Sequence, residues 1–217
     1  MGSPSEDRSS LLLFLSLLLY IVLSAFLADD SIAEGVLLLS LYGTLLASIF
    51  YLSTNERLRW PGILLAVMNG CATLVVLFHR SRLMGIAFWF LLACFLAFVC
   101  VGLFNHLGRP GAITRGRLYV SVSLYFLIGF FWFALYSLLE TAQPGSFTQS
   151  GQPGSAHVPP RTLLYFSLET LTTLGYGDIV PLAPKARTLA VLEAAAGILY
   201  IAVTVARLVA GYQRQEE

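Results

Sequence analysis

The segment LTTLGYGDIVP, residues 171–181, places two threonines, two glycines and an aspartate between two strongly apolar stretches. Irregular backbone at membrane depth occurs only where protein buries it or where it lines a water-filled path. Gly175 and Gly177, on either side of Tyr176, permit backbone angles that turn successive carbonyl oxygens in one direction. A ring of such carbonyls can replace the water shell of a dehydrated cation. With the Thr173 hydroxyl as a further oxygen at the inner end, the segment predicts cation coordination.

The composition places this segment in a membrane protein. The chain has 217 residues, of which 57% are hydrophobic and only 12% charged, and its mean hydropathy is +0.78. Soluble domains carry about 25% charged residues. The net charge of +1 and the lack of a basic patch argue against a nucleic-acid partner. Cys71, Cys94 and Cys100 lie in apolar runs without metal-ligand spacing, so they are predicted to be core residues.

Apolar runs must reach about 20 residues to cross a bilayer. Six runs do so or come close: 11–27, 35–52, 61–78, 83–104, 118–139 and 189–211. A shorter stretch, 162–173, lies between the last two and is predicted to be re-entrant. The sequence thus predicts an all-α membrane protein with six transmembrane helices and a re-entrant segment between the fifth and sixth.

Lys and Arg in the short loops predict the orientation, since these residues favour the cytoplasmic side. Their distribution indicates that both termini are cytoplasmic, although Arg80 and Arg82 on the outer side oppose it. The absence of a glycosylation sequon favours a bacterial inner membrane. The segment 141–160, rich in Gly, Pro, Ser and Gln, is predicted to be a flexible external loop.

The stretch YFSLETLTTLGYGDIVP (165–181) resembles the pore helix and selectivity filter of potassium channels, whose usual filter reads T-V-G-Y-G-D. Leu174 stands where valine is commoner, a mild departure because the site uses the backbone carbonyl. The resemblance continues through ARTLAVLEAAAGILYIAV (186–203). It implies a homotetramer in the lipid bilayer, because one chain supplies a single filter strand and four are needed to close the ring.

The resemblance also implies roles for individual residues. Potassium ions, the only bound group expected, would be coordinated by the carbonyls of Thr173, Leu174, Gly175, Tyr176 and Gly177 and by the Thr173 hydroxyl. The filter would be supported by Glu169, Asp178, Tyr165 and Thr172. The inner helix would have its hinge at Gly197 and its cavity line at Ile198, Ile201, Val205 and Val209.

The implied domains follow the chain in order. They are a cytoplasmic N-terminus (1–10), a four-helix region like a voltage sensor without its charges (11–104), a cytoplasmic linker (105–117), a pore domain (118–211) and a cytoplasmic C-terminus (212–217). The pore domain divides into an outer helix (118–139), external loop (140–161), pore helix (162–172), filter (173–178) and inner helix (187–211).

Two pairs of residues behind the filter have roles that the sequence leaves open. Glu169 and Asp178 are expected to share a proton, since two close carboxyls cannot both ionise comfortably; alternatively, Asp178 is a solvated acid that concentrates cations. Tyr165 and Phe166 stand where relatives often have two tryptophans, and of these only Tyr165 can donate a hydrogen bond to the outer acid.

The last span contains further residues to be placed. Gly197 is either a hinge or a close-packing glycine. At about 100° per residue, Arg207 falls on the back of the cavity line and is expected to be a headgroup or neighbour-helix anchor. Glu193 falls beside that line and is expected to face the pore helix or the preceding span. Its role is either to form structural hydrogen bonds in the interior or to sense ions or protons.

No arginine lies within 83–104, so the first four spans lack the charges of a voltage sensor and form either a packing collar or a lipid-facing sensor. The histidines, His79, His106 and His157, leave pH sensing open. The sequence therefore predicts a voltage-insensitive, homotetrameric potassium channel that conducts passively and has no catalytic residues. The alternatives are a weakly selective cation channel and a non-conducting structural or regulatory subunit.

Overall fold

The computed structural model describes residues 4–26, 41–44, 46–48, 56–78, 81–108, 114–150 and 157–216. Its helices are α1 (Pro4–Phe26), α2 (Glu56–Phe78), α3 (Arg82–Leu107), α4 (Arg115–Ala142), α5 (Pro160–Leu171) and α6 (Pro184–Glu216), and its strands are β1 (Phe147–Gln149) and β2 (Ile179–Pro181). Residues 41–44 and 46–48 are also helical. The described chain is thus mostly helical, with two strands of three residues and irregular segments that include the filter motif.

Within the described ranges, five helices are long and apolar enough to cross a membrane. They are Asp7–Phe26, Trp60–Phe78, Arg82–Leu107, Arg115–Ala142 and Pro184–Arg207. These five match five of the six apolar runs predicted from the sequence. The remaining run, 35–52, lies largely outside the described residues. The all-α membrane class is therefore confirmed.

The helices extend beyond the apolar runs that predicted them. The predicted outer helix, 118–139, is part of α4, which begins at Arg115 and ends at Ala142. The predicted inner helix, 187–211, is part of α6, which begins at Pro184. Proline suits the first turn of a helix because it needs no hydrogen bond there. Hydropathy marks only the apolar part of a helix, whereas its ends continue into polar residues.

One compact unit comprises Met1–Ala66, Phe98–Leu127 and Val205–Glu217. Here α1 is attached to the beginning of α4, because the Asp7 carboxylate accepts a hydrogen bond of 3.0 Å from the amide of Gly116. This amide belongs to the first turn of α4 and has no partner within its own helix. The rings of Phe14 and Tyr119 stack at 6.0 Å. A negative charge at a helix N-terminus is favourable because it complements the helix dipole.

The second unit comprises Val67–Ala97 and Ile128–Thr204. It contains α5 and the antiparallel pair β1–β2, in which Phe147 lies opposite Pro181 and Gln149 opposite Ile179. Arg82, at the start of α3, donates hydrogen bonds to the last carbonyls of α4, from Nε to Thr141 at 3.0 Å and from Nη2 to Ala142. The predicted orientation places Arg82 on the outer side of the membrane, although arginine favours the cytoplasmic side. Its hydrogen bonds to the end of α4 give a structural reason for this position.

Candidate functional site

The helix α5 leads directly into the filter motif. It begins at Pro160 and ends at Leu171. Its 12 residues span about 18 Å, too short for a hydrocarbon core of about 30 Å. At its end the Thr172 hydroxyl lies 2.8 Å from the carbonyl oxygen of Leu168 and 3.1 Å from that of Glu169, and its one hydrogen can be donated to either. Thr172 thus provides a donor for the carbonyls at the helix C-terminus, next to the residues predicted to bind ions.

The backbone of the filter motif alternates in handedness. Thr173, Gly175 and Gly177 have φ angles of 57°, 61° and 75°, and Thr173 is the only described residue other than glycine with a positive φ. A left-handed conformation costs a residue with a side chain roughly 1–2 kcal/mol. Such strain persists only where the surroundings impose it, and it concentrates at functional sites. The alternation lets successive peptide planes turn toward the same side.

The carbonyl oxygens of residues 173–176 form no hydrogen bonds with the rest of the described chain. Among the described residues, no hydrogen bond is accepted by the carbonyl oxygens of residues 173–176. The side chains of Leu174 and Tyr176 are 53% and 70% exposed. The motif is therefore a row of unpaired oxygens on an exposed backbone, bounded by α5 and β2.

Two acids and a tyrosine lie behind this row. Glu169 is buried, and its Oε2 and the Oδ1 of Asp178 are buried atoms without a hydrogen-bond partner among the described residues. No hydrogen bond between the two carboxyls is found in this part of the chain. Burial, the charges of Glu169 and Asp178, and a hydrogen bond with Asp178 raise the pKa of Tyr165. Tyr165 thus lies where it can donate to Asp178.

Phe166 takes part in an aromatic cluster instead of a hydrogen bond. Its ring lies 5.2 Å from that of Tyr136 on α4 and 5.4 Å from that of Phe147 on β1, and the last two rings are 5.3 Å apart. All three pairs have the edge-to-face arrangement that aromatic rings prefer. Phe166 therefore fixes α5 against α4 and β1 by packing.

Glu140, near the end of α4, is a fully buried carboxylate that organises the loop after it. Its Oε1 accepts hydrogen bonds from the amides of Gly145 (3.0 Å) and Val158 (3.3 Å). Its Oε2 accepts from the amides of Ser146 (3.0 Å) and Phe147 (3.3 Å). The Nδ1 of His157, whose side chain is 56% exposed, lies 3.4 Å from Oε1.

The same loop is tied to the backbone that follows the filter motif. The amide of Ser150 donates to the carbonyl of Asp178 at 2.7 Å, and the carbonyl of Ser146 accepts from the amide of Leu182 at 2.8 Å. Arg187, in the first turn of α6, donates from Nε to the carbonyl of Pro181 at 3.1 Å. The described parts of the predicted flexible loop are therefore ordered around Glu140 and β2.

The inner-helix glycine packs closely against the end of α5. A Cβ atom at Gly197 would lie 2.2 Å from the carbonyl oxygen of Leu171 and 3.1 Å from its carbonyl carbon. A Cβ at Gly129 of α4 would lie 3.0 Å from the Leu168 side chain and 3.3 Å from that of Leu171. Of the two interpretations of Gly197, close packing is the one that these distances support.

Glu193 lies one turn before Gly197 and is fully buried. Its Oε1 is 2.6 Å from the hydroxyl of Ser167 on α5, and its Oε2 accepts a hydrogen bond from the hydroxyl of Tyr136 on α4. The expectation was that Glu193 faces the pore helix or the preceding span, and the structure shows contacts with both α5 and α4.

The other inner-helix residues lie along the exposed side of α6. In a single copy, Ile198, Ile201 and Val205 are 58%, 50% and 53% exposed. The Val209 side chain lies outside the described residues. The guanidinium carbon of Arg207 lies 5.2 Å from the ring centre of Phe104, which agrees with the expected neighbour-helix anchor.

Sequence reasoning missed Glu140, Ser167 and Tyr136. Glu140 did carry a signal, because it is the only charged residue in 118–142 and stands near a helix C-terminus, where a negative charge is unfavourable. Ser167 and Tyr136 carried none, since serine and tyrosine are ordinary in apolar helices.

A family model described as ion channel matches residues 120–213. The chain is 33% identical over 97 residues to the inward rectifier potassium channel Kirbac3.1 of Paramagnetospirillum magnetotacticum, which covers 45% of this chain and 28% of that protein. It is 33% identical over 109 residues to the potassium voltage-gated channel protein shk-1 of Caenorhabditis elegans. This match covers 49% of this chain and 20% of that protein. It is 33% identical over 101 residues to the two pore potassium channel c of Oryza sativa subsp. japonica. This match covers 46% of this chain and 20% of that protein.

The chain therefore spans less than a third of the length of each of these relatives. No solved structure matches it significantly. All three relatives are potassium channels by name, and the range matched by the family model contains the filter motif, α5 and most of α6. Residues 120–213 thus match a family model of ion channels, and the similarity to three potassium channels confirms the resemblance seen in the filter motif.

Proposed function

We propose that four copies of this chain form a potassium-selective, voltage-insensitive channel that conducts passively across the membrane. The observation that carries the proposal is the row of unpaired carbonyls at residues 173–176, between left-handed Thr173 and left-handed Gly177. Polar backbone at membrane depth must be buried or line a wet path. Four such rows around an axis provide the ring of oxygens that replaces the water shell of potassium.

Voltage insensitivity follows from the charges of the preceding spans. Opening by voltage needs several charges that move through the membrane field. The helix α3 has no lysine or arginine between Leu83 and Phe104, and Arg82 at its start is engaged with the end of α4. The open probability is therefore expected to be the same at positive and negative potentials.

The test is the reversal potential of the purified protein in a planar bilayer with potassium on one side and sodium on the other. A reversal near the potassium equilibrium potential supports the proposal. The absence of current from a verified tetramer under every applied voltage and pH would favour the non-conducting alternative.

Gly175→Ala tests the filter assignment directly. Gly175 has a φ of 61°, and a Cβ atom at this position would meet nothing within 4 Å, so alanine fits the space but not the backbone angle. Gly145 offers a matched control, since it has a φ of 82° and equally open surroundings in the loop after α4. Both variants carry the same type of strain. We expect Gly175→Ala to abolish potassium current and Gly145→Ala to retain it; equal effects would contradict the assignment.

A weakly selective cation channel is the second candidate. One observation favours it: an oxygen of Glu169 and one of Asp178 are buried without partners in the described chain, and Phe166 cannot donate to either. A filter held by fewer hydrogen bonds discriminates less sharply between cations. A reversal potential near zero, with substantial current, would support this candidate over the first.

A further inference from the structure

The hydroxyl of Ser167 stands between two acceptors. Its Oγ lies 2.7 Å from the carbonyl oxygen of Gly129 on α4 and 2.6 Å from Oε1 of Glu193 on α6. A serine hydroxyl has one hydrogen to donate. If Glu193 were ionised, it would be an acceptor only, and one of these two short contacts would join two oxygens with no hydrogen between them.

A proton on Glu193 satisfies every group. The carboxyl then donates from Oε1 to Ser167, Ser167 donates to the carbonyl of Gly129, and the hydroxyl of Tyr136 donates to Oε2. The two described side chains that form hydrogen bonds with Glu193, Tyr136 on α4 and Ser167 on α5, carry no positive charge that would compensate an ionised carboxylate. Burying an uncompensated charge costs far more than burying a neutral, hydrogen-bonded acid.

The chain of hydrogen bonds lies directly behind the filter motif. Ser167 is one turn before Leu171, the last residue of α5, and Glu193 is one turn before Gly197 on α6. The backbone at Gly197 touches the carbonyl of Leu171. Two contacts on the same face of α6 therefore hold the end of α5, one through hydrogen bonds and one through close packing.

We infer that Glu193 is a neutral, proton-donating carboxylic acid and a positioning residue that fixes the pore helix to the outer and inner helices through Ser167. This role rests on the proposed function, because the backbone that α5 holds in place is the proposed ion site. It assigns the intramembrane acid to the architecture of the filter rather than to ion binding.

The first measurement is infrared spectroscopy of the reconstituted protein at neutral pH. The difference between wild type and Glu193→Gln is expected to contain the carbonyl stretch of one hydrogen-bonded carboxylic acid. In Ser167→Ala this band is expected to shift toward that of a free acid. Ser137→Ala is the control, because the Ser137 hydroxyl is likewise buried, lies on α4 and has no hydrogen-bond partner among the described residues. A carboxylate band in place of the acid band would overturn the inference.

The second measurement compares potassium flux into proteoliposomes for two substitutions. Glutamine has an amide that donates to Ser167 and a carbonyl that accepts from Tyr136, so Glu193→Gln is expected to keep the wild-type flux and selectivity. Glu193→Leu leaves the buried Tyr136 hydroxyl unpaired and is expected to lower flux roughly tenfold or more. Equal losses in both variants would show that the charge is required and would refute the neutral acid.

The two measurements separate this inference from the function on which it rests. The infrared band is read from the protein whether or not it conducts. If wild type conducts no potassium, the proposed function fails, and the state of Glu193 is still decided by the band. If the variant with leucine does not assemble, Ser167→Ala and Ser137→Ala still test the hydrogen-bond chain.

Discussion

Single residues fix the end of α5, the proposed pore helix, and the space around Gly197 is especially restricted. A Cβ at this position would lie 2.2 Å from the carbonyl oxygen of Leu171, a distance that side-chain carbons do not reach. The contact involves backbone, which cannot move aside as a flexible side chain can. The distance between α6 and α5 thus leaves room for glycine at position 197 and not for a side chain.

Gly197→Ala is therefore expected to destabilise the protein. Overpacking of this kind costs about 1–3 kcal/mol. Gly70→Ala on α2 is the matched control, because a Cβ there meets nothing within 4 Å. Alanine in a helix is favoured over glycine by roughly 0.5–1 kcal/mol, so Gly70→Ala should be neutral or stabilising. Thermal unfolding in detergent measures both; an unchanged midpoint for Gly197→Ala would instead favour the hinge interpretation.

At the scale of elements, the ends of helices carry the polar interactions. The loop after α4 is folded around Glu140, which accepts four backbone hydrogen bonds, and this loop then pairs through β1 with β2 behind the filter motif. The carbonyls at the end of α4 are satisfied by Arg82 of α3. Both interactions join segments that are distant in sequence.

Glu140→Gln is expected to loosen the loop. The amide nitrogen of glutamine cannot accept, so two of the four backbone amides lose their acceptor, at about 1–3 kcal/mol for each unsatisfied group. Hydrogen exchange at the amides of Ser146 and Phe147 is expected to accelerate. His157→Gln is the control: it removes only a contact of a side chain that is 56% exposed, and such surface pairs contribute little. Unchanged exchange in Glu140→Gln would contradict the role of the carboxylate.

Arg82→Gln is expected to lower the thermal midpoint slightly. A cation near a helix C-terminus contributes roughly 0.3–1 kcal/mol, and the substitution removes the charge from the end of α4. Arg82→Lys retains the charge but replaces the planar donor group, so it should fall between wild type and glutamine. If glutamine unfolds at the same temperature as wild type, the contact contributes no net stability.

At the scale of the whole molecule, a single copy is incomplete at its proposed ion site. The carbonyls of residues 173–176 are exposed and unpaired in the described chain, and the neighbouring face of α6 is apolar and exposed. Exposed apolar residues are normal in contact with lipid, but exposed backbone polar groups are not. The filter motif, rather than the apolar face, is therefore the feature that supports the proposed assembly of four copies.

Cysteine accessibility tests the proposed assembly. Ile201 and Leu199 are both exposed in one copy, at 50% and 63%, but two positions along a helix differ by roughly 200° in direction. In a background without Cys71, Cys94 and Cys100, a charged thiol reagent is expected to block current through Ile201→Cys and to leave Leu199→Cys unaffected. Block of both variants, or of neither, would contradict a cavity lined by Ile201.

The sequence by itself determined the membrane class, five of the described spans and the filter motif, because hydropathy and a contiguous run of special residues are local properties. The direction in which the Glu193 side chain points was also predictable, since helical periodicity is a local property of the sequence. Only the tertiary structure decided the partners Ser167 and Tyr136, the loop folded around Glu140 and the contact of Gly197 with Leu171. These depend on which segments meet in space, and the hydrogen bonds and close contacts between them leave no periodic trace in the sequence.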